Sequence, residues 1–213
     1  MQSGSSRRSN PDRSRATRQA LLAAARELFI RKGFAATSTP EIAAAAGLTR
    51  GALYHHFKDK SELFQALLEE EAQAVAEEIE ATAQGWNSPR EALMAGAQAY
   101  LEAMTATGRT RLLLIEGPAV LGSARMRLLD EANAERTLQR GLAAAVDEAH
   151  GSRRQGRGAQ EAPPSDEADV AARAVLLSAA FDRAALAIDQ GDDPDRYRAA
   201  MLALLEAVVD QGT

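Results

Sequence analysis

The sequence predicts an all-α fold of about nine helices, and three observations predict it. Helix-starting signatures recur: Ser38 three residues before Glu41, Asp59 three before Glu62, and Ser88 followed by Pro89 and Glu91. Each joins a capping side chain to a proline or an acid in the first turn. Apolar residues then return at intervals of three and four, as in Leu21, Ala25 and Leu28, or in Val170, Ala174, Leu177, Phe181, Ala184 and Ile188. That spacing lines one face of a helix. Glycines follow where stripes stop, at Gly33 and Gly47, as a left-handed C-terminal cap requires.

Taken in order, residues 1–13 are Ser-rich, basic and without periodicity, which predicts a disordered tail. The first helix spans about Arg15–Lys32, with Arg13, Arg15 and Arg18 near its start and Phe34 just beyond its end. Phe34 is expected to pack beneath the next two helices. The second helix begins after Ser38 and carries Ile42, Ala43 and Ala46 on its apolar side. Gly47 stops it after barely two turns, Leu48 plugs the turn, and Thr49 caps a third helix, Arg50–Phe57. Two short helices about a tight turn make a helix-turn-helix unit.

Each helical residue advances about 100° around the axis. In the third helix Arg50, Gly51, Tyr54 and His55 therefore fall on one arc, and Ala52, Leu53, His56 and Phe57 on the opposite one. The second arc is a buried wedge. The first offers a guanidinium that matches guanine O6 and N7, a gap, a phenol and an imidazole, which suits a major groove and its phosphates.

A fourth helix, about Lys60–Ala83, is anchored at its start by Leu63, Phe64, Leu67 and Leu68 and is expected to join two domains. A fifth runs from Ser88 to about Thr105 with Leu93, Met94, Ala97, Tyr100, Leu101 and Met104 inside it. After Gly108 comes a short apolar helix expected to break at Gly117 and Pro118. One long helix is expected over about Ser123–His150, then a mobile loop near 151–165, rich in Gly, Arg and Pro. The last two helices span about Ser165–Gln190 and Pro194–Gln211. Their seams, including Leu177, Phe181 and Ala184 on one helix and Met201, Leu205 and Val208 on the other, suit either the chain's own core or a second subunit.

Charge is unevenly spread. Residues 1–60 hold 11 Lys and Arg against 4 acids, a balance of +7. The whole chain carries -5, so residues 61–213 carry -12. Phosphate attraction is screened within about 8–10 Å at physiological salt, so only the basic head is suited to a polyanion. The chain has no cysteine, which removes disulfides and thiolate metal sites. No apolar run approaches the roughly 20 residues of a membrane span, so a soluble, cytoplasmic protein without membrane contact is expected. His55 and His56 are adjacent and cannot share a metal as ligands one turn apart can. Neither a metal site nor a cofactor is expected. There is no nucleotide-binding glycine loop, HExxH helix or Gly-x-Ser-x-Gly turn.

The stretch GFAATSTPEIAAAAGLTRGALYHHFKDKSELF, together with RQALLAAARELFIRKGF before it, resembles the DNA-binding domain of the TetR family of bacterial transcriptional regulators. The resemblance covers roughly the first third of the chain. It implies an N-terminal three-helix DNA-binding domain over 14–60 and a larger helical effector-binding and dimerisation domain over 61–213. It also implies a homodimer on a palindromic operator in double-stranded DNA, and a small-molecule effector of unknown identity. The candidate DNA-contacting residues are Ser38, Thr39, Thr49, Arg50, Gly51, Tyr54, His55, Lys58 and Lys60. Among them Thr49 and Arg50 are placed for base edges, and Tyr54, His55, Lys58 and Lys60 for phosphates. Met94, Tyr100, Met104 and Phe181 are the candidate ligand-binding residues, and Leu177, Phe181, Ala184, Met201, Leu205 and Val208 the candidate dimer seam. A repressor released by its ligand is the leading expectation. A DNA-binding regulator or architectural protein without an effector is the alternative, and a helical enzyme with a basic appendage a remote one.

Overall fold

Ser38 and Thr49 set the frame of the first part of the chain. The Ser38 hydroxyl accepts from the Glu41 N–H while the Glu41 carboxylate accepts from the Ser38 N–H, and Thr49 Oγ1 accepts from the Ala52 N–H at 3.1 Å. These caps satisfy orphan donors at the starts of α2 (Thr39–Ala45) and α3 (Arg50–His56). Between them Gly47 takes φ 67, and the Gly47 and Leu48 N–H groups close the end of α2 onto Ala44 and Ala43. That left-handed turn favours glycine.

The computed structural model describes residues 10–156 and 167–211. Among these residues every regular element is a helix, and the chain divides into two units, Met1–Glu69 and Glu70–Thr213. None of the described helices is long and apolar enough to cross a membrane.

In the first unit α1 (Asn10–Ala36) is regular as far as Gly33, whose φ of 79 interrupts it where the sequence predicts an end. Its start lies earlier than expected. Asn10–Arg13 are helical rather than part of a tail, because Pro11 needs no hydrogen bond in a first turn and Asp12 pairs with Arg15 at 2.6 Å. Residues 1–9 of the expected tail lie outside the described residues. The core joins Leu21, Leu22, Leu28 and Phe29 of α1 with Ile42, Leu53 and Phe57, and with Leu63, Phe64, Leu67 and Leu68 at the start of α4 (Lys60–Ala83). Phe34 meets the rings of Phe29 and Phe64 at 5.7 and 5.0 Å, and those two meet edge-on at 5.1 Å.

In the second unit α5 (Pro89–Met104) starts on Ser88, whose hydroxyl accepts from the Glu91 N–H. Next, α6 comprises Arg109–Arg111, a π-helical turn at Leu112–Glu116, and Gly117–Leu121. The expected break at Gly117 and Pro118 does not occur. The Gly117 N–H donates to Leu112, five residues back, and this wider turn gives the Pro118 ring room that a regular helix denies it. A side chain at Gly117 would meet Met126 at 2.9 Å and the Leu112 carbonyl at 3.1 Å. The buried Arg109 fixes the start of α6, donating to Glu71 at 2.9 Å, Glu78 at 3.0 Å and the Ala103 carbonyl at 2.6 Å.

The long helix expected over 123–150 is two, α7 (Ser123–Glu131) and α8 (Ala134–Gly156), so the described residues form ten helices rather than nine. Asn133 makes the break: its side-chain amide donates back to the Leu129 carbonyl, and its own carbonyl accepts the Thr137 N–H that begins α8. Helix α8 extends to Gly156, into the segment expected as a loop, and 157–166 lie outside the described residues. Helices α9 (Glu167–Asp189) and α10 (Pro194–Gln211) complete the unit.

The expected dimer seam is instead the core of this unit. Leu177, Phe181, Ala184, Met201 and Leu205 are buried within the chain, with Leu93, Leu101, Leu142 and Val146 of α5 and α8 around them, and Val208 packs against the cluster. The reason is the width of the apolar arcs. One face of each helix is used inside the chain, and a neighbouring stripe, with Val175, Leu176 and Leu204, stays exposed. Along α10 the buried series is Met201, Leu205 and Val209.

Because Leu205 is fully buried in this cluster, Leu205→Ala is expected to cost about 2–5 kcal/mol of unfolding free energy. The exposed Glu206→Ala should change it by no more than about 0.5 kcal/mol. Denaturant titration of both variants is the measurement, and equal losses would contradict the core assignment.

Candidate functional site

Helix α3 separates its residues as its sequence predicts. Leu53 and Phe57 are buried with Ala52 and His56 half-buried beside them, while Arg50, Gly51, Tyr54 and His55 are all exposed. Burial, and after it the nearby charges of His55 and Arg18, hold the His56 imidazole below its ordinary value, which favours its neutral form. The outer arc is tied to α2: the Thr39 and Tyr54 hydroxyls share a hydrogen bond at 3.1 Å. Arg50 lies 5.3 Å from the Tyr54 ring centre and donates to its hydroxyl at 3.5 Å. The bond with Thr39, and then that with Arg50, hold the Tyr54 phenol below its usual range. Thr39, Arg50 and Tyr54 therefore form one outward group. Thr49 is exposed at its edge, as is Lys58 beyond the end of α3.

Behind this arc a clamp holds α2 to α1. Lys32 donates to Glu41 at 2.6 Å, and that bond, followed by those from Ser38, holds the Glu41 carboxyl down at about 2. A cleft beside α3 is lined by Arg13, Ser14, Thr17 and His55, which brings the start of α1 alongside the outer arc.

Two side chains expected at DNA, and the neighbouring Arg18, are engaged inside the unit. Lys60, assigned to a phosphate from its place at a helix start, turns inward: its ammonium donates to the Phe34 and Thr37 carbonyls, each at 2.8 Å, and lies 4.2 Å from the Phe34 ring centre. Phe34 lies in the short helical stretch that follows the kink at Gly33, where its carbonyl also accepts the Thr37 N–H at 3.3 Å, and Thr37 lies just beyond the end of that stretch. Ser38 spends its hydroxyl on the capping box, accepting from Glu41 and donating to its carboxylate at 3.0 Å. Arg18 lies over the Phe57 ring at 4.8 Å.

The second unit holds a cavity of about 320 Å³, at the lower end of the roughly 300–1,000 Å³ typical of ligand pockets. Tyr100 and Met104 line it. Phe181 and Tyr100, 5.5 Å apart edge to face, line a smaller cavity of about 90 Å³. Tyr100, Ala134 and Ser178 belong to both. Met94 lines neither and packs against the core cluster, and Trp86 is exposed with its indole donating to the Thr82 carbonyl. Met94 lies about 120° around α5 from Tyr100, six residues on, so sharing an apolar helix did not mean sharing a cavity.

Sequence reasoning missed the polar part of the larger cavity. Asp130 accepts from the Ser178 hydroxyl at 2.8 Å, Asp182 from the Tyr100 hydroxyl at 2.6 Å, and Glu135 lines the same wall. Burial, the leading cause for each, raises all three carboxyls, and Asp182 reaches about 6. The available signal was Ser178 and Asp182, one turn apart and flanking Phe181 on a mostly apolar helix.

Residues 21–67, running from α1 into α4, match a family described as bacterial regulatory proteins, tetR family. Residues 90–212, more than half the chain, match a tetracyclin repressor-like C-terminal domain. The HTH-type transcriptional regulator AcrR of Shigella flexneri is 42% identical over 99 residues, 46% of this chain and 46% of its own. The HTH-type transcriptional repressor BepR of Brucella suis is 46% identical over 52 residues, 24% of this chain and 25% of its own. The chain thus spans less than half the length of these curated relatives. A solved TetR-family transcriptional regulator from Pectobacterium atrosepticum is 31% identical across 94% of this chain and 95% of its own, with a TM-score of 0.64. Another, from Streptomyces coelicolor, has a TM-score of 0.68 at 20% identity across 92% and 96%, a likeness of fold alone. With one match lying on the helix-turn-helix unit and the other spanning α5 to α10, the chain belongs to the TetR family of bacterial regulatory proteins.

Proposed function

We propose that this chain is a transcriptional repressor that binds a palindromic operator as a homodimer through α3 and releases it when a small molecule occupies the second unit. The observation that carries the reading is the outer arc of α3, where Arg50, Tyr54 and His55 are exposed together over a buried Leu53 and Phe57. In this reading Thr49 and Arg50 reach base edges, and Tyr54, His55 and Lys58 hold phosphates. Gly51 leaves room for the backbone to approach. The cavity at Tyr100 and Met104 supports the ligand part. The exposed apolar stripe of α9 and α10 supports the dimer, since Leu176 is 72% exposed and Val175 and Leu204 are about half exposed. A two-fold dimer sets half-site centres about one helical turn, roughly 34–36 Å, apart or a multiple of it.

Selection of bound fragments from the genome of origin supplies the operator, and binding to operator and scrambled duplex at several salt concentrations then tests the DNA part. Arg50→Ala should cost roughly 1–3 kcal/mol on the operator and much less on scrambled DNA. Lys58→Ala should weaken both duplexes alike and reduce the slope of log K against log salt by about one. Lys60→Ala should leave that slope unchanged and lower the stability of the fold by about 1–3 kcal/mol, because the Phe34 and Thr37 carbonyls, both part-buried, each lose a charged donor. An Arg50→Ala loss identical on both duplexes would show that this arginine holds phosphate.

Leu176→Glu should convert the dimer to monomer in sedimentation and abolish tight operator binding without unfolding the chain, since the side chain lies outside the core. A Leu176→Glu dimer of wild-type affinity would remove this stripe from the interface. If occupancy of the cavity releases DNA, saturating operator must weaken the ligand by the same factor. Equal ligand affinity with and without operator would leave a DNA-binding protein whose cavity does not regulate it.

A further inference from the structure

The walls of the larger cavity are unequal. Val75, Met104, Leu113, Met126 and Leu186 make most of it apolar. On the remaining side three helices each present a carboxylate: Asp130 from α7, Glu135 from α8 and Asp182 from α9. Arg127 is the one basic residue among those lining the cavity, and its guanidinium is bonded to Glu131 one turn along α7. The groups that bond to the acids, Ser178 on Asp130 and Tyr100 on Asp182, are neutral hydroxyls. The wall therefore carries three carboxylates against one guanidinium, that of Arg127, whose charge acts on Glu135 while it is bonded to Glu131.

An apolar cavity with this wall rejects an anion and gains little from a neutral guest. An inorganic ion also fits poorly, because among the described residues no three His, Cys, Asp or Glu side chains are placed to hold a metal ion. The carboxylates are spread around a space that suits a larger guest. The smaller cavity, apolar at Ile79, Leu93, Leu138 and Phe181, adjoins through Tyr100, Ala134 and Ser178, and aromatic faces at that junction attract positive charge. Resting on the reading of this unit as ligand-binding, we propose that the cavity takes an organic cation. Its ammonium head lies among Asp130, Glu135 and Asp182, and its apolar tail runs past Tyr100 into the smaller cavity.

The titration of the wall agrees in sign. Asp182 faces Tyr100 of α5, Asp130 of α7 and Glu135 of α8; burial first, then the charges of Asp130 and Glu135, raise its carboxyl from 3.8 to about 6. A raised value means that its contribution to stability is complete below about 4 and lost as the pH rises through about 6. At neutral pH the empty cavity holds a charge that its surroundings disfavour. A bound cation reverses that balance, so cation affinity falls as the pH drops through about 6.

Calorimetric titration of the full chain with octyltrimethylammonium, octylammonium, 1-octanol and octanoate tests the proposal at neutral pH. Both ammonium ions should bind at least about tenfold more tightly than octanol, with no octanoate binding. Each methylene removed from the ammonium tail should weaken binding about fourfold. Asp182→Asn and the more exposed Glu135→Gln, each checked for an unchanged melt, should both lower cation affinity about tenfold and leave octanol unaffected. Lowering the pH through 6 should weaken the cations alone. Octanol or octanoate binding as tightly as the cations, cations undiminished in both variants, or no binding by any probe would each overturn it. Operator release, measured in parallel, separates this from the regulatory reading. Cations that bind without releasing operator leave the cationic site standing and remove the regulation. Octanol or octanoate that binds and releases operator while the cations do neither keeps the regulation and removes the cation.

Discussion

The first unit depends on the burial of Leu53 and Phe57. A seven-residue helix has no stability of its own in water, because nucleation costs more than one or two turns return. Helix α3 exists because Leu53 within it and Phe57 at its end are buried almost completely in the core of this unit. That seating also fixes its rotation. A change of one residue in register would turn the helix by about 100° and bring Ala52 or His56 to the surface in place of Arg50 and Tyr54. The outward arc is thus a by-product of an apolar constraint, reinforced at its rim by the bond from Tyr54 to Thr39.

Much of this was legible in the sequence because the relevant physics is local. The Ser38 capping box, the Thr49 cap and the positive φ at Gly47 lie within four residues of their partners, and the two arcs of α3 follow from helical geometry alone. What failed was everything that depends on partners far along the chain. Lys60 reads as a free cation at a helix start until the carbonyls of Phe34 and Thr37 stand beside it. Asn133 reads as an ordinary helical residue until its amide is seen reaching back to Leu129. The broad apolar arcs of α9 and α10 state that two faces are dry, without stating which face belongs to the chain's own core.

The acidic wall of the cavity shows the same limit more sharply. Asp182 in sequence is one charge among many on helices rich in acids, and a solvated face is the ordinary explanation. Its meaning comes from Asp130 and Glu135, placed near it by the break at Asn133 that separates α7 from α8. Had 123–150 remained one helix, as its sequence predicts, Asp130 and Glu135 would lie five residues apart on a single rod, about 140° apart in direction. The kink lets both line one cavity. Two misread features, a helix break and a polar cluster, thus have one cause.

The π-helical turn at Leu112–Glu116 carries a consequence for how this region can change in evolution. Such a turn is a helix with one extra residue accommodated as a bulge, and here the surplus carries Leu113 and Leu114 to the cavity wall while giving the Pro118 ring room. Deleting a single residue there would restore an ordinary helix whose two ends keep their register, drawing the bulged side chains back from the wall. It would reshape the wall without substituting any other residue. Length variation at this one bulge is therefore a route to a reshaped cavity that substitution alone would need several steps to reach. Arg109, locked between Glu71, Glu78 and the Ala103 carbonyl, would keep the near end of the helix in place while the bulge was lost.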